Sequence, residues 1–586
     1  MILDKLREKM AIKGIDYYII PTLDPHSCEY LPDYFKERVF VTGFTGSAGT
    51  AVISQKDAYL WTDGRYFIQA EREIKSHGFK LMKQGKEGVL NFDRWIIKNI
   101  NEGQSLGLNG LYFLESYYEN LKKELDKKNV KIIDFDLIKD LWKDRPEFPM
   151  TKAFIFEDKY AGENAENKIK RIREALKSKK ADMTVITNLE DICWTLNIRG
   201  RDILYTPVVI SYLIIEENKV ILFLQEEKAR DIKKTLKDLV EIREYNEFYK
   251  SLEAYENKTI YLDKERINHC VYKNLKDKNK FIWGRNISND LKAIKNSTEL
   301  ENLRKTYIVD GVALTKYIYW LKQEVKKQEI GEYDAQVQLD KIRAQSNLYY
   351  SNSFETISAY GPNAAMMHYS AHKDRQSYLK ACGFYLVDSG GQYYTGTTDV
   401  TRTIALGNLT SEEIKDFTLT LKCHLALMNC VFLKGTKDLA LDSITRYHLW
   451  KEHMDYKCGT GHGVGYFLSV HEGPQRISPG STGEVMKVGM VVSNEPGVYK
   501  ENKHGIRIEN IMEVIEDGNY SDGTFYKFNT MSLAPIDIDC IDINLLTTEE
   551  INLLNDYHKR VYDELSPYLE VDIKEWLKEA TKKLER

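Results

Sequence analysis

Long apolar runs, paired cysteines, a surplus of either charge and nucleotide-binding glycine loops are all missing from this sequence. No apolar run approaches the roughly 18 residues of a membrane span, and the longest candidate, Val208 to Ile215, has the length of a strand. The first twenty residues space apolar side chains among Lys, Arg and Glu, like an amphipathic helix running into a strand. They lack the apolar core of about 7–15 residues that a secretory leader needs. The eight cysteines (28, 193, 270, 382, 423, 430, 458 and 540) include no Cys-x-x-Cys pair. That argues against a zinc ribbon or disulfide scaffold and for reduced thiols, so a cytoplasmic protein is expected. With 84 basic and 88 acidic residues the formal charge is −4, which leaves no broad electrostatic footprint for nucleic acid or an anionic membrane. The glycines from Gly459 to Gly465 fall at every second position, the wrong spacing for a dinucleotide turn.

What is present points to a folded, multidomain chain. The 586 residues are 42% hydrophobic and 29% charged, which excludes disorder as a description of the whole. At about 100–200 residues per domain, three domains are expected. Pro146 and Pro149 break the helical pattern at one boundary. Near Lys295–Glu299, Asn296 or Ser297 can cap a helix carrying Leu300, Leu303, Tyr307, Leu314 and Leu321. The predicted segments are 1–150, 151–296 and 297–586.

The first two segments look like distant copies of one α/β plan. Asp16–Asp24 resembles Asp182–Glu190, an apolar strand ending in a polar turn, and each is followed by a Gly-containing loop, further strands and a charged helix. In the third segment helices come first, over about 297–346, and strands dominate from Phe384. Gly383–Asp388 and Gly396–Thr403 read as a hairpin around Gly390 and Gly391. Gly489–Gly497 and Gly505–Met512 read as two more strands. An α+β domain with a curved, mainly antiparallel sheet is expected.

Eight of the 12 histidines lie between 368 and 504, where uniform scatter would put about three. In the same window four carboxylates interrupt strand-like apolar runs: Asp388, Asp399, Glu495 and Glu509. Each alone reads as a turn, cap or solvated-face residue. Together they would repel unless something positive lay among them. His462, presented by glycines on both sides, is the obvious fifth member. Four carboxylates balance two divalent cations, and one imidazole in an oxygen-rich set suits manganese, with cobalt, iron or zinc as alternatives. Two such ions would polarise a carbonyl and activate a bridging water, so hydrolysis is the expected reaction.

These motifs resemble the pita-bread metallopeptidases, above all the long, three-domain aminopeptidase P family. The resemblance rests on Asp388 with Thr397–Thr403, Gly459–Gly465, Val470–Pro474, Asn494–Gly497 and Gly505–Asn510. It extends to Val39–Thr50, Leu60–Phe67, Leu141–Pro146 and Gly361–Tyr369, so it covers essentially the whole chain.

The resemblance implies two creatinase-like N-terminal α/β domains and a pita-bread catalytic domain with a C-terminal extension. It also implies a dinuclear, usually manganese, centre held by Asp388, Asp399, His462, Glu495 and Glu509, with Asp399 and Glu509 bridging. His368 and His471 would contact the substrate and stabilise the tetrahedral intermediate. Glu495 would carry the proton from the bridging hydroxide to the leaving nitrogen, Arg65 would approach the peptide, and Arg507 would hold an acidic ligand in place. His372, His448 and His453 are assigned no role.

The implied activity is removal of any N-terminal residue that precedes a penultimate proline, in a homodimeric enzyme. The alternatives are a prolidase confined to X-Pro dipeptides, which fits poorly with the length and the middle domain, and a non-catalytic peptidase-fold binding protein, which would lack ligands. One departure stands out: Cys458 occupies a position where this family commonly has histidine.

Overall fold

The structure is a computed structural model that describes residues 2–586. The chain divides into two compact units, Met1–Glu157 with Glu163–Asn289, and Asp158–Gly162 with Asp290–Arg586. Among the described residues no helix is long and apolar enough to cross a membrane, and all eight cysteines are free.

In the first unit, Tyr17–Pro21 lies near the middle of a six-stranded sheet. It pairs antiparallel with Thr50–Ser54 and parallel with Ser105–Leu108. Ala58–Thr62 and Lys80–Lys83 continue one side, and Lys131–Asp134 the other. Alternate residues of a strand face opposite ways, and both faces here are apolar. Tyr18, Ile20, Ala51 and Ile53 pack with Leu3, Leu6 and Met10 of the helix Ile2–Ile12. Ile19, Val52 and Leu106 pack with Ile96 and Leu121, from the helices Phe92–Asn99 and Glu115–Asp126.

The second sheet is built on Met183–Ile186, with Tyr212–Glu216, Val220–Phe223 and Glu241–Arg243 on one side and Thr259–Leu262 and Lys280–Trp283 on the other. Its strand order and all its strand directions repeat those of the first. The faint sequence repeat thus has a full topological counterpart.

The second unit opens on the helix Ser297–Glu324. Asn296 is the cap: its side chain accepts from the Glu299 N–H while Glu299 accepts from the Asn296 N–H. Leu303, Tyr307, Leu314 and Leu321 are buried, and Leu300 is half-buried. Every named strand pair of this unit is antiparallel.

Three sequence expectations need correction here. Phe384–Ser389 does pair with Val400–Ala405, but Gly390 and Gly391 are not a tight turn between them. The intervening Gly391–Tyr393 and Gly396–Thr397 form their own ribbon beside Tyr349–Asn352. Gly390 serves close approach instead, since a Cβ there would sit 1.9 Å from the Thr398 carbonyl oxygen.

Nor do strands dominate after Phe384. The helices Ser411–Met428, Asp438–Trp450, Thr548–Leu565 and Val571–Ala580 intervene and follow. Ser411–Met428 is buried continuously from Asp416 to Leu421, so its apolar residues show no single-face period.

Finally, Gly489–Gly497 and Gly505–Met512 are not unbroken strands. Val491–Asn494 stops before Gly497–Lys500 begins, and His504–Arg507 stops before Asn510–Tyr520. Asn494 pairs with Asn510 and Gly497 with Arg507, so the same two arms keep one register on both sides of a single gap in the ladder. Glu495 and Glu509 stand in that break.

Candidate metal centre

Asp388, Asp399, His462, Glu495 and Glu509 come together in the second unit. Asp388 is next to last in a wholly buried strand, directly opposite Thr401. Asp399 immediately precedes the strand Val400–Ala405 rather than lying within it. His462 closes the short strand Gly461–His462. A Cβ on Gly461 would lie 2.0 Å from the Ser493 carbonyl oxygen, and one on Gly463 2.0 Å from that of Glu472. Only glycine lets the backbone press in on both sides of this imidazole.

Three sets of side chains each bring one ligand atom per residue within 4.8 Å of the others: Asp388, Asp399 and Glu509; His462, Glu495 and Glu509; and Asp399, His462 and His471. Asp399, His462 and Glu509 each occur in two sets. His462 Nε2 lies 3.5 Å from Asp399 Oδ2 and 3.4 Å from Glu495 Oε1. Its Nδ1 is 2.9 Å from the Gly463 carbonyl oxygen, an acceptor that keeps the ring proton on Nδ1 and leaves Nε2 as the electron-pair donor facing the carboxylates. The ring of His471 meets that of His462 edge-on, 4.4 Å between centroids. His368 is exposed in the turn after the helix Gly361–Ala365. Arg65 belongs to the first unit, where Asp63 holds its guanidinium at 2.8 and 2.7 Å over the Tyr66 ring.

Electrostatically the cluster lacks positive charge. Burial, with Asp388 and Glu495 adding to it, raises the Asp399 carboxyl to about 6 against the pull of His462. Burial and then the charges of Asp399, Glu495 and Asp388 push Glu509 well above the usual carboxylate range. Asp388 Oδ1 is buried with no hydrogen-bond donor, a costly state for a carboxylate oxygen unless a cation faces it. An orphaned oxygen, crowded acids and an imidazole nitrogen turned inward fit a pair of divalent cations.

Arg507 steadies Asp388. Its Nη2 donates to Asp388 Oδ2 at 2.6 Å, Nε to Thr401 Oγ1 at 3.1 Å and Nη1 to the Tyr499 hydroxyl at 2.7 Å. A lysine cannot span three such partners. Arg507→Lys is therefore expected to weaken divalent-cation binding by about 10–100-fold, measured by titration calorimetry with manganese. Unchanged affinity would remove Arg507 from the site.

Several supports escaped sequence reasoning. Thr401 donates to Glu509 Oε2 at 2.7 Å, and its carbonyl accepts from the Glu509 N–H. Thr403, two residues on and so on the same strand face, exchanges hydrogen bonds with the Arg507 backbone. Their spacing from Asp399, in steps of two, is the signal that could have found them. Ser493 accepts from the His462 N–H and donates to Glu495 Oε1. Behind the break, the buried His424 bonds to the Asn494 carbonyl and the Asn510 amide, the neighbours of Glu495 and Glu509. At Cys458, burial and the charge of Glu495 push the thiol up to about 12. It stays neutral at pH 7 and cannot relay protons as an imidazole would.

Known proteins share this chain's whole length. The profile described as Creatinase/Prolidase N-terminal domain matches twice, through two variants, at residues 2–141 and 144–299. Metallopeptidase family M24 matches residues 301–516, and the C-terminal region of peptidase M24 matches residues 524–584. A probable Xaa-Pro aminopeptidase P of Laccaria bicolor is 38% identical over 98% of this chain and 92% of its own length. Xaa-Pro aminopeptidase 1 of Dictyostelium discoideum is 36% identical over 99% of this chain and 96% of its own. The crystal structure of X-prolyl aminopeptidase from Caenorhabditis elegans, described as a cytosolic enzyme with a di-nuclear active site, superposes with a TM-score of 0.95. It is 33% identical, and each chain covers 100% of the other.

Proposed function

This chain belongs to metallopeptidase family M24, and from that premise we propose that it is an aminopeptidase cleaving the bond between an N-terminal residue and a penultimate proline. The observation that carries the reading is the convergence of four carboxylates and His462, with Asp388 Oδ1 left without a donor. Full-length relatives with that activity in their names support it. We assign Asp388, Asp399, His462, Glu495 and Glu509 as ligands of two divalent cations. Manganese is the proposed metal, because the donor set is oxygen-rich with a single imidazole. When bound, the ions supply Lewis-acid polarisation of the scissile carbonyl and an activated water.

The chain's own residues do the rest. Glu495, with Ser493 donating to its Oε1, takes the proton at that carboxylate and returns it to the departing proline nitrogen. That nitrogen needs it, since an amine leaves the tetrahedral intermediate readily only when protonated and would otherwise depart as a strongly basic anion. His471, edge-on to His462, and His368 are assigned to the carbonyl oxygen as negative charge develops there. Arg65, held by Asp63, is assigned to the peptide by the resemblance alone.

Three functional domains, 1–150, 151–296 and 297–586, are proposed, as are a cytosolic setting and a homodimer. The description of the worm enzyme as cytosolic supports the setting. The apolar side chains that the helix Asp438–Trp450 leaves exposed, Leu439, Ile444, Tyr447 and Trp450, support the homodimer.

Metal-stripped protein, assayed with and without added manganese on an Ala-Pro-Pro tripeptide and an Ala-Pro dipeptide, tests the reading. Manganese-dependent release of alanine from the tripeptide is expected. Turnover of the dipeptide alone would make the protein a prolidase, and no turnover of either would end the enzymatic reading.

A further inference from the structure

His368 projects from a long irregular segment between the strands Ile357–Tyr360 and Phe384–Ser389. An exposed histidine on such a loop would be a poor partner for a reacting oxygen, because catalytic gain depends on geometry held before the reaction starts. The loop is nevertheless tied at several points, and the ties meet at one side chain.

Glu332, the first residue of the helix Glu332–Arg343, is fully buried. Its Oε1 accepts from the Tyr360 N–H at 2.6 Å and from Asn363 Nδ2 at 3.0 Å. Its Oε2 accepts from the Tyr369 hydroxyl at 2.7 Å and the Ser377 N–H at 2.8 Å. The two backbone donors, Tyr360 and Ser377, bracket residues 361–376, and Tyr369 is the neighbour of His368. The Glu332 main chain adds a second layer: its N–H donates to the Ser377 carbonyl and its carbonyl accepts from the Ser358 hydroxyl.

A buried carboxylate is costly unless its lone pairs are satisfied, and here loop donors satisfy them. Charge-assisted hydrogen bonds of this kind are the stronger ones. Residues 361–376 are therefore closed into a ring by a group that stands outside the three sets of metal candidates.

We propose that Glu332 is a positioning residue for the reaction: it fixes the loop so that His368 is presented in a single place. The inference rests on the assignment of His368 to the reacting carbonyl.

The test is Glu332→Gln in the manganese-loaded, full-length enzyme. The amide keeps the shape but turns a donor toward groups that are themselves donors. Expected are a fall in kcat of about 10²-fold on Ala-Pro-Pro, little change in KM or manganese affinity, and faster hydrogen exchange across residues 361–377. In a His368→Ala background the same substitution should cost nothing more, since both act through one side chain. Tyr369→Phe, which removes one of the four donor groups, should show the same pattern more weakly, and it serves if Glu332→Gln does not fold. Unchanged exchange, or losses that simply add in the double variant, would overturn the proposal. If His368→Ala alone retains full activity, the assignment of His368 fails instead, and the exchange rates still decide whether Glu332 holds the loop.

Discussion

The His462→Ala protein is expected to lose roughly 10³-fold or more in kcat/KM and to bind manganese far more weakly. The size follows from what the imidazole faces. Metal-assisted stabilisation of developing charge is worth several kcal/mol, and each factor of ten in rate is about 1.4 kcal/mol. His462 is the one nitrogen donor among the five proposed ligands, and its Nε2 lies within 3.5 Å of both Asp399 and Glu495. Removing it leaves two acids facing one another with less to hold a cation between them. Metal content by mass spectrometry and kinetics on Ala-Pro-Pro should fall together. His448→Ala, on the helix Asp438–Trp450, is the control and should change neither. A His462→Ala protein that retained its metal and its rate would displace the whole ligand assignment.

Stripping the metal should make the protein less stable as pH rises, opposite to the usual behaviour of paired acids. Burial disfavours the charge of Asp399 and raises its carboxyl from an ordinary 3.8 to about 6 in the folded chain. The folded state therefore binds the proton more tightly than the unfolded state does, and stability falls as pH climbs from about 4 through 6. Over that interval the loss amounts to roughly 3 kcal/mol. Glu509, raised by burial and its acidic neighbours, works in the same direction. Three outcomes follow. The gain in melting temperature on adding manganese should widen across that interval. Manganese uptake below pH 6 should release protons, seen as a buffer-dependent heat. Without metal, Asp399→Asn should be more stable than the stripped parent at pH 7 and no more stable below pH 4. A metal-free parent and variant with identical melting curves from pH 4 to 7 would contradict the electrostatic account.

Much of the site is legible in sequence because metal chemistry demands particular side chains, and their apolar surroundings make them conspicuous. Asp388 stands out after Phe-Tyr-Leu-Val, and His462 among alternating glycines. The duplicated α/β plan is visible at Asp16–Asp24 and Asp182–Glu190 for a similar reason, since strands apolar on both faces give compact runs. What stays hidden depends on pairing across distance. Gly390 looks like a turn residue until Thr398 is seen against it. The run Gly505–Met512 reads as one strand because local alternation does not reveal the gap in the ladder at Ile508 and Glu509. Glu332 gives no local sign at all, for its partners lie 28 to 45 residues away. A buried acid at a helix start looks in sequence like ordinary first-turn charge.

The break in the ribbon carries an evolutionary consequence. Between Glu495 and Glu509 the chain runs out along Gly497–Lys500 and back along His504–Arg507, in register from Gly497 opposite Arg507 to Lys500 opposite His504. One residue gained or lost within either strand would turn every later side chain to the other face, carrying one glutamate out of the centre while its partner stayed. At the tip, Glu501–Lys503 are exposed and outside the ladder, so length can vary there without disturbing either acid. Insertions among descendants of this chain should therefore collect at that tip, while the arms keep their length even where most of their side chains drift.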